Sequence, residues 1–97
     1  MSKLTCIAKI VAQQEHKEMV LSELIKIVPP TQKEQGCINY DLHICNTDDA
    51  IFMFHETWES EADLNAHSQS PHIKKCFDVI GEMLVATEVL RLTKVTV

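Results

Sequence analysis

The sequence predicts an α+β fold of the split-βαβ, ferredoxin-like type, in which one four-stranded antiparallel sheet carries helices on one face. Two regions with helical spacing of apolar residues alternate with four strand-like segments, in the order β-α-β-β-α-β. A proline divides the second helical region into two helices. The chain of 97 residues, with 45% hydrophobic and 24% charged side chains, predicts a single domain over residues 1–97.

The first half of the fold begins with a strand and a helix. Residues 4–11, LTCIAKIV, are rich in strand formers and are followed by polar residues. From Glu15 to Val28 the apolar residues recur at helical spacing, and Pro29-Pro30 is expected to end or sharply kink that helix. After a further short turn, Gly36 suits a position of positive φ.

The next two segments predict an antiparallel hairpin. Residues 37–45, CINYDLHIC, alternate between apolar and polar, and residues 50–58, AIFMFHETW, form another strand-like run. Residues 46–49, NTDD, supply turn chemistry between them. The residues expected on the apolar face of the first of these strands are Ile38, Tyr40, Leu42 and Ile44.

The third strand is apolar on both sides. Ile51 and Met53 lie on the side opposite Phe52, Phe54 and Trp58. Such a strand needs cover on both sides, and a chain of 97 residues has too few helices to supply it. A second copy of the chain is the economical cover, so a homodimer is expected.

The second half begins with a helix start and ends with a strand. Ser60 followed by Asp63 approximates a capping box, and Pro71 interrupts the helix that it starts. A further helix is expected from about His72 to Val85. Residues 89–97, VLRLTKVTV, have the β-branched content of a closing strand.

Charge and hydropathy exclude several classes of partner. The formal net charge is −5, with 14 acidic and 9 scattered basic residues, which argues against nucleic acid. No apolar run approaches the roughly 20 residues of a membrane span, and the N-terminus lacks a signal peptide's apolar core, so a cytoplasmic location is expected. Four cysteines without a C-x-x-C pair are expected as free, buried thiols: Cys6, Cys37, Cys45 and Cys76.

The side chains favour proton transfer over cofactor chemistry. With 2 glycines, neither a Rossmann fingerprint nor a P-loop can be written. His67 and His72 are five apart with Pro71 between them, which does not match a helical metal-binding pair, so no metal site is expected. Histidine accepts and returns protons near neutral pH, and structural roles are the alternative for both rings. Trp58 is either core or a platform for a ligand.

Two stretches resemble a known family. FMFHETWESEADLNAHSQSPH has an aromatic strand ending in Glu-x-Trp, an acidic helix start and a histidine before a Ser-Pro-His turn, and QGCINYDLH lies upstream. Both are similar to the pattern of the antibiotic biosynthesis monooxygenase family, and within it to the quinol monooxygenase subgroup. The resemblance covers nearly the whole chain.

The resemblance implies a dimeric α/β barrel with a pocket between sheet and helices in each subunit. It also implies a monooxygenase that uses O2 but no metal or flavin, and that acts on a quinol or related aromatic polyphenol. Trp58 would line the pocket, and His67 and His72 would lie at its mouth or wall, with His67 as the expected base. The remaining residues expected to contact the substrate are Tyr40, Glu56, Phe54 and Phe77.

The sequence also departs from better-understood members of the family. Phe54 and Leu64 stand where anthrone oxygenases are expected to have a polar asparagine and tyrosine. Phe77 and Ala8 stand near the iron-binding histidine and the asparagine of haem-degrading relatives, which disfavours haem degradation. Two alternatives therefore stay open. One is an isomerase of a phosphorylated autoinducer-like sugar, with Lys74 or Lys75 binding the anion, and the other is a dimer that binds a small molecule without catalysis.

Overall fold

The computed structural model describes residues 3–97 and confirms the ferredoxin-like fold. Met1 and Ser2, which belong to the predicted domain, lie outside this range. The four antiparallel strands have the sheet order β2-β3-β1-β4. The elements are β1 (Leu4–Ala12), α1 (Lys17–Gln32), β2 (Cys37–Ile44), β3 (Ile51–Trp58), α2 (Glu61–Ser68), α3 (Pro71–Ile80) and β4 (Leu84–Leu92).

Helix α1 continues through the two prolines, so the predicted end at Pro29-Pro30 is wrong. The helix runs to Gln32. A proline at 29 or 30 removes the hydrogen bond to the carbonyl four residues earlier, which belongs to Ile25 or Lys26. Both residues lie on the exposed face of α1, where water can replace the lost donors. After α1, Gly36 adopts the expected positive φ of 81°, and a β-carbon there would overlap the side chain of Asp63.

The predicted β2–β3 hairpin is confirmed, but the expected apolar face of β2 is wrong at Ile38. The register shifts between Cys37 and Asn39, so Ile38 occupies a bulge and is 44% exposed. Ile44, at the far end of this edge strand, is 48% exposed. Ile44 nevertheless lies on the same face as Tyr40 and Leu42, and these three residues pair with Phe52, Glu56 and Phe54 of β3, respectively.

The second half confirms the helix starts and corrects the later boundaries. The Ser60 hydroxyl accepts a hydrogen bond from the backbone N–H of Asp63, and Pro71 occupies the first turn of α3. Helix α3 ends at Ile80 rather than Val85, and β4 covers residues 84–92 rather than 89–97. Pairing with β1 explains why β4 lies earlier in the chain than expected. Ala12 of β1 pairs with Leu84, and Thr5 pairs with Leu92.

The core lies between the sheet and the helices. On β3 the helix-facing residues Phe52, Phe54 and Trp58 are almost completely buried, whereas Ile51 and Met53 on the opposite face are half-buried. Among residues 3–97, no helix is both long enough and apolar enough to cross a membrane.

Candidate functional site

A cavity of about 150 Å³ lies between the helix-facing side of the sheet and helices α2 and α3. Most of its wall is apolar, and the wall includes Val89 of β4, which is 61% exposed. The polar or ionisable groups of the wall are few, as is typical of small-molecule sites. They are Cys6, Tyr40, Glu56, His67, Ser68 and Arg91.

Glu56 is the buried carboxyl group of this wall. It is 3% exposed, and its Oε1 accepts a hydrogen bond of 2.9 Å from the indole Nε1 of Trp58. Burial raises the pKa of Glu56 from 4.5 to about 7, although the hydrogen bonds from Trp58 and Cys6 oppose the shift. Burial also raises the pKa of the Cys6 thiol to about 12, so this group stays protonated and able to donate. A carboxyl with a pKa near 7 can both accept and release a proton at neutral pH.

The pKa of Glu56 predicts that stability falls as pH rises. Because the folded-state value of about 7 exceeds the ordinary value of 4.5, the folded protein binds more protons than the unfolded chain between these values. Stability is therefore fully present below about pH 4.5 and decreases through about pH 7, by on the order of 3 kcal/mol from this group. The groups that face Glu56 from β1, β2, α2 and β4 are Cys6, Tyr40, His67 and Arg91.

Urea denaturation at pH 5 and pH 8 measures this effect in the wild type and in Glu56→Gln. We expect the difference between the two pH values to shrink by about 3 kcal/mol in Glu56→Gln. The exposed Glu59 provides the matched control, and Glu59→Gln should retain the wild-type difference. An equal pH dependence in Glu56→Gln and the wild type would rule out a raised pKa at Glu56.

His67 is the second ionisable group whose position is fixed by partners. It is 6% exposed, and its Nδ1 lies 3.0 Å from Oε2 of Glu34. A carboxylate can only accept, so Nδ1 carries the hydrogen and Nε2 keeps its lone pair. Burial lowers the pKa of His67 and so favours the neutral ring, although the neighbouring Glu34 carboxylate opposes this shift. Its ring centroid lies 5.3 Å from that of Tyr40 and 4.8 Å from that of Trp58.

The sequence predicted seven residues at one pocket, and the structure places five of them in the cavity wall and two outside it. The five in the wall are Tyr40, Phe54, Glu56, His67 and Phe77. Trp58 is completely buried behind the wall, where it holds Glu56 and packs against His67. His72 is also outside the wall, because its Nε2 is engaged by Glu34 at 2.8 Å and by Thr31 at 3.0 Å.

Comparison with known proteins agrees with the observed fold. The family model described as antibiotic biosynthesis monooxygenase matches residues 4–79, which span the first three strands and nearly all of the helices. The chain belongs to this family.

Individual relatives support the assignment to the antibiotic biosynthesis monooxygenase family. The "Probable quinol monooxygenase YgiN" of Escherichia coli is 38% identical, over 84% of this chain and 88% of that protein. The crystal structure of PA3566 from Pseudomonas aeruginosa has a TM-score of 0.93 at 30% identity and covers 99% of this chain and 97% of that one. Rv0793 from Mycobacterium tuberculosis has a TM-score of 0.90 at 25% identity, with 98% and 97% covered.

The departures from better-understood family members converge on one place. Ala8, Phe54, Leu64 and Phe77, which replace the polar or iron-binding groups expected of those relatives, all contribute to the cavity wall. This member of the antibiotic biosynthesis monooxygenase family therefore has an apolar cavity in which Glu56 and His67 stand close to apolar side chains.

Three residues that contribute to the site were not predicted from the sequence. Glu34 is in the turn after α1, Thr31 is in its last turn, and Arg91 is on β4. Arg91 lines the cavity while donating to Glu61 at 3.2 Å and Asn65 at 2.9 Å. Lys74 and Lys75, the proposed anion binders of the isomerase alternative, are exposed on α3 and outside the cavity wall. A sequence signal for Arg91 existed, since an arginine within the apolar run VLRL of a strand is unusual.

Proposed function

We propose that this protein is a cytoplasmic, cofactor-independent monooxygenase that oxidises a quinol with O2 in the cavity beside Glu56. The observation that carries the proposal is a buried carboxyl group in the wall of an apolar cavity, held by the indole of Trp58. The similarity to YgiN supports a quinol as the substrate class.

In the proposed reaction, Glu56 accepts a proton from one hydroxyl of the quinol. The resulting anion is electron-rich enough to reduce O2 by one electron, and recombination of the two radicals forms a C–O bond at a ring carbon. Glu56 returns its proton to the peroxide anion so formed, and loss of water from the resulting hydroperoxide leaves a hydroxyquinone. One oxygen atom of O2 enters the ring and the other leaves as water, so the quinol supplies all the electrons. The protein binds, deprotonates and excludes water.

The polar groups around Glu56 have separate roles in this proposal. Nε2 of His67 is available as a hydrogen-bond acceptor, because Nδ1 donates to Glu34. Burial raises the pKa of Tyr40 well above its ordinary value, so its hydroxyl remains a donor. Phe54 and Phe77 supply apolar contact with the substrate ring, while Trp58 and His72 position Glu56 and Glu34 from behind the wall.

The size of the cavity limits the substrate. A volume of about 150 Å³ suits one aromatic ring, since apolar cavities of that size bind benzene. A second ring would have to extend beyond the cavity.

Oxygen consumption by metal-free protein tests the proposal. With 1,4-hydroquinone we expect uptake above the autoxidation rate and, from oxygen-18 gas, one labelled atom in the hydroxyquinone product. Uptake no faster than autoxidation would refute the oxygenase. If hydroquinone still raises the melting temperature, the non-catalytic binding dimer becomes the better account.

A second copy of the chain is proposed to cover the outer face of the sheet. This face has no helices, and several of its residues are apolar, including Leu90 and Leu92, which are 47% and 42% exposed. The other apolar residues of the outer face are Ile7, Val11, Ile51 and Met53. Burying such a face removes apolar area from water, at about 25 cal/mol per Å².

Light scattering should therefore give twice the chain mass of 11.0 kDa for the wild type. Ile7→Lys places a charge in the middle of the outer face and is expected to give a monomer, because an unpaired buried charge is costly at an interface. Ile25 is 54% exposed on α1 and supplies the control, so Ile25→Lys should remain dimeric. A monomeric wild type would exclude this arrangement.

A further inference from the structure

Three side chains from three elements converge beside the cavity. Glu34 follows α1, His67 is in α2 and His72 is in α3. Oε2 of Glu34 lies 3.0 Å from Nδ1 of His67 and 2.8 Å from Nε2 of His72. All three atoms lie within 4.8 Å of one another, and the side chains are 17%, 8% and 24% exposed, in that order.

This set has the composition of a site for a transition metal. Two imidazole nitrogens and one carboxylate oxygen are ligands of Zn²⁺ and of other divalent first-row ions, at about 2.0–2.2 Å from the ion. A tetrahedral ion with such bonds separates its ligands by about 3.3 Å. The observed spacings require small movements of side chains and no movement of the backbone elements. Mg²⁺ and Ca²⁺ prefer oxygen ligands and fit the two rings poorly.

The hydrogen bonding of the cluster also favours an ion. Both imidazole rings direct a nitrogen at the same oxygen atom of Glu34, so three potential ligand atoms already point to a common region. Thr31, whose Oγ1 lies 3.0 Å from the same Nε2 of His72, would give up this contact when that nitrogen binds an ion. Glu34 and His72 are partly exposed, which leaves a route for an ion and for water at a fourth position.

We propose that Glu34, His67 and His72 form a binding site for a divalent first-row transition ion such as Zn²⁺, with a fourth position open to water. The oxygenation proposed above requires no metal, so this site is an addition to it. Coordination through Nδ1 would place the ring hydrogen of His67 on Nε2. The cavity would then present a donor in place of an acceptor, and metal occupancy would change which ligands it holds.

The only tryptophan of the chain provides a direct measurement. The ring of Trp58 is centred 4.8 Å from that of His67, so Co²⁺ or Cu²⁺ in the site should quench its fluorescence. For chelator-treated protein we expect saturable quenching by Co²⁺ at one ion per chain, visible absorption typical of tetrahedral Co²⁺, and reversal of both by Zn²⁺.

Substitution of the ligands identifies the site. Glu34→Gln and His72→Gln should each weaken Co²⁺ binding by at least about 100-fold, because each removes one of three ligands. His16, a half-buried histidine before α1, is the control, and His16→Gln should bind as the wild type does. Circular dichroism shows whether each variant folds. If one ligand variant does not fold, Co²⁺ binding by the other tests the site.

Two outcomes would overturn the metal site. One is the absence of saturable quenching in the wild type at millimolar Co²⁺. The other is binding that survives both ligand substitutions unchanged. Neither measurement depends on turnover, so a protein that binds Co²⁺ without consuming oxygen would refute the proposed oxygenase while retaining the metal site.

Discussion

Replacing Glu56 with glutamine is expected to lower the rate of hydroquinone oxidation by about 10²- to 10⁴-fold, which is the usual contribution of a positioned general base. Glutamine has nearly the same shape, and its amide oxygen can still accept the hydrogen bond from Trp58. The variant therefore removes the proton acceptor and leaves the cavity in place. The measurement is oxygen uptake by metal-free protein, corrected for autoxidation.

The pH profile distinguishes a base from a structural residue. Because the base acts when ionised, the wild-type rate should rise with pH through the Glu56 pKa of about 7 and then level off. Glu56→Gln should show no such step, and Glu59→Gln should behave as the wild type does. A rate in Glu56→Gln within a factor of three of the wild type would assign proton transfer to another group.

The architecture could be predicted from the sequence because local patterns and tertiary packing agree over most of the chain. The boundaries that differ were set by partners distant in sequence. β4 begins at Leu84 because Ala12 of β1 pairs with it, and nothing in the residues around 84 indicates this. The bulge at Ile38 similarly depends on the register with β3. It places Tyr40 opposite Glu56 and therefore inside, while His55 faces outward.

The candidate site was predictable to the extent that it rests on strand alternation and family pattern. Phe54 and Glu56 alternate on β3, which places both in the wall. The cluster at Glu34 was not predictable, because the spacing rule for metal-binding histidines applies to a single helix, whereas His67 and His72 lie on two. Pro71 starts a new helix between them, and the turn between α2 and α3 brings both rings to one carboxylate.

Trp58→Ala is expected to destabilise the fold by about 4 kcal/mol or more. The side chain is completely buried, and truncation of a buried tryptophan to alanine costs about 3–5 kcal/mol. The substitution also deprives buried Glu56 of its indole donor, which adds roughly 1–3 kcal/mol. Total stability is about 5–15 kcal/mol for a domain, so this loss is a large fraction of it. Urea denaturation followed by circular dichroism measures the loss.

Trp58→Phe separates packing from hydrogen bonding, because it keeps most of the ring volume and removes the N–H. The indole hydrogen bond holds the pKa of Glu56 down, so the variant should shift the pH at which the rate is half-maximal upward. Phe52, which is 1% exposed on the same strand and outside the cavity wall, provides the control. Phe52→Leu should lose stability without moving the pH profile. If both variants leave the profile in place, Trp58 is a core residue alone, and the hydrogen bond to Glu56 has no part in setting its proton affinity.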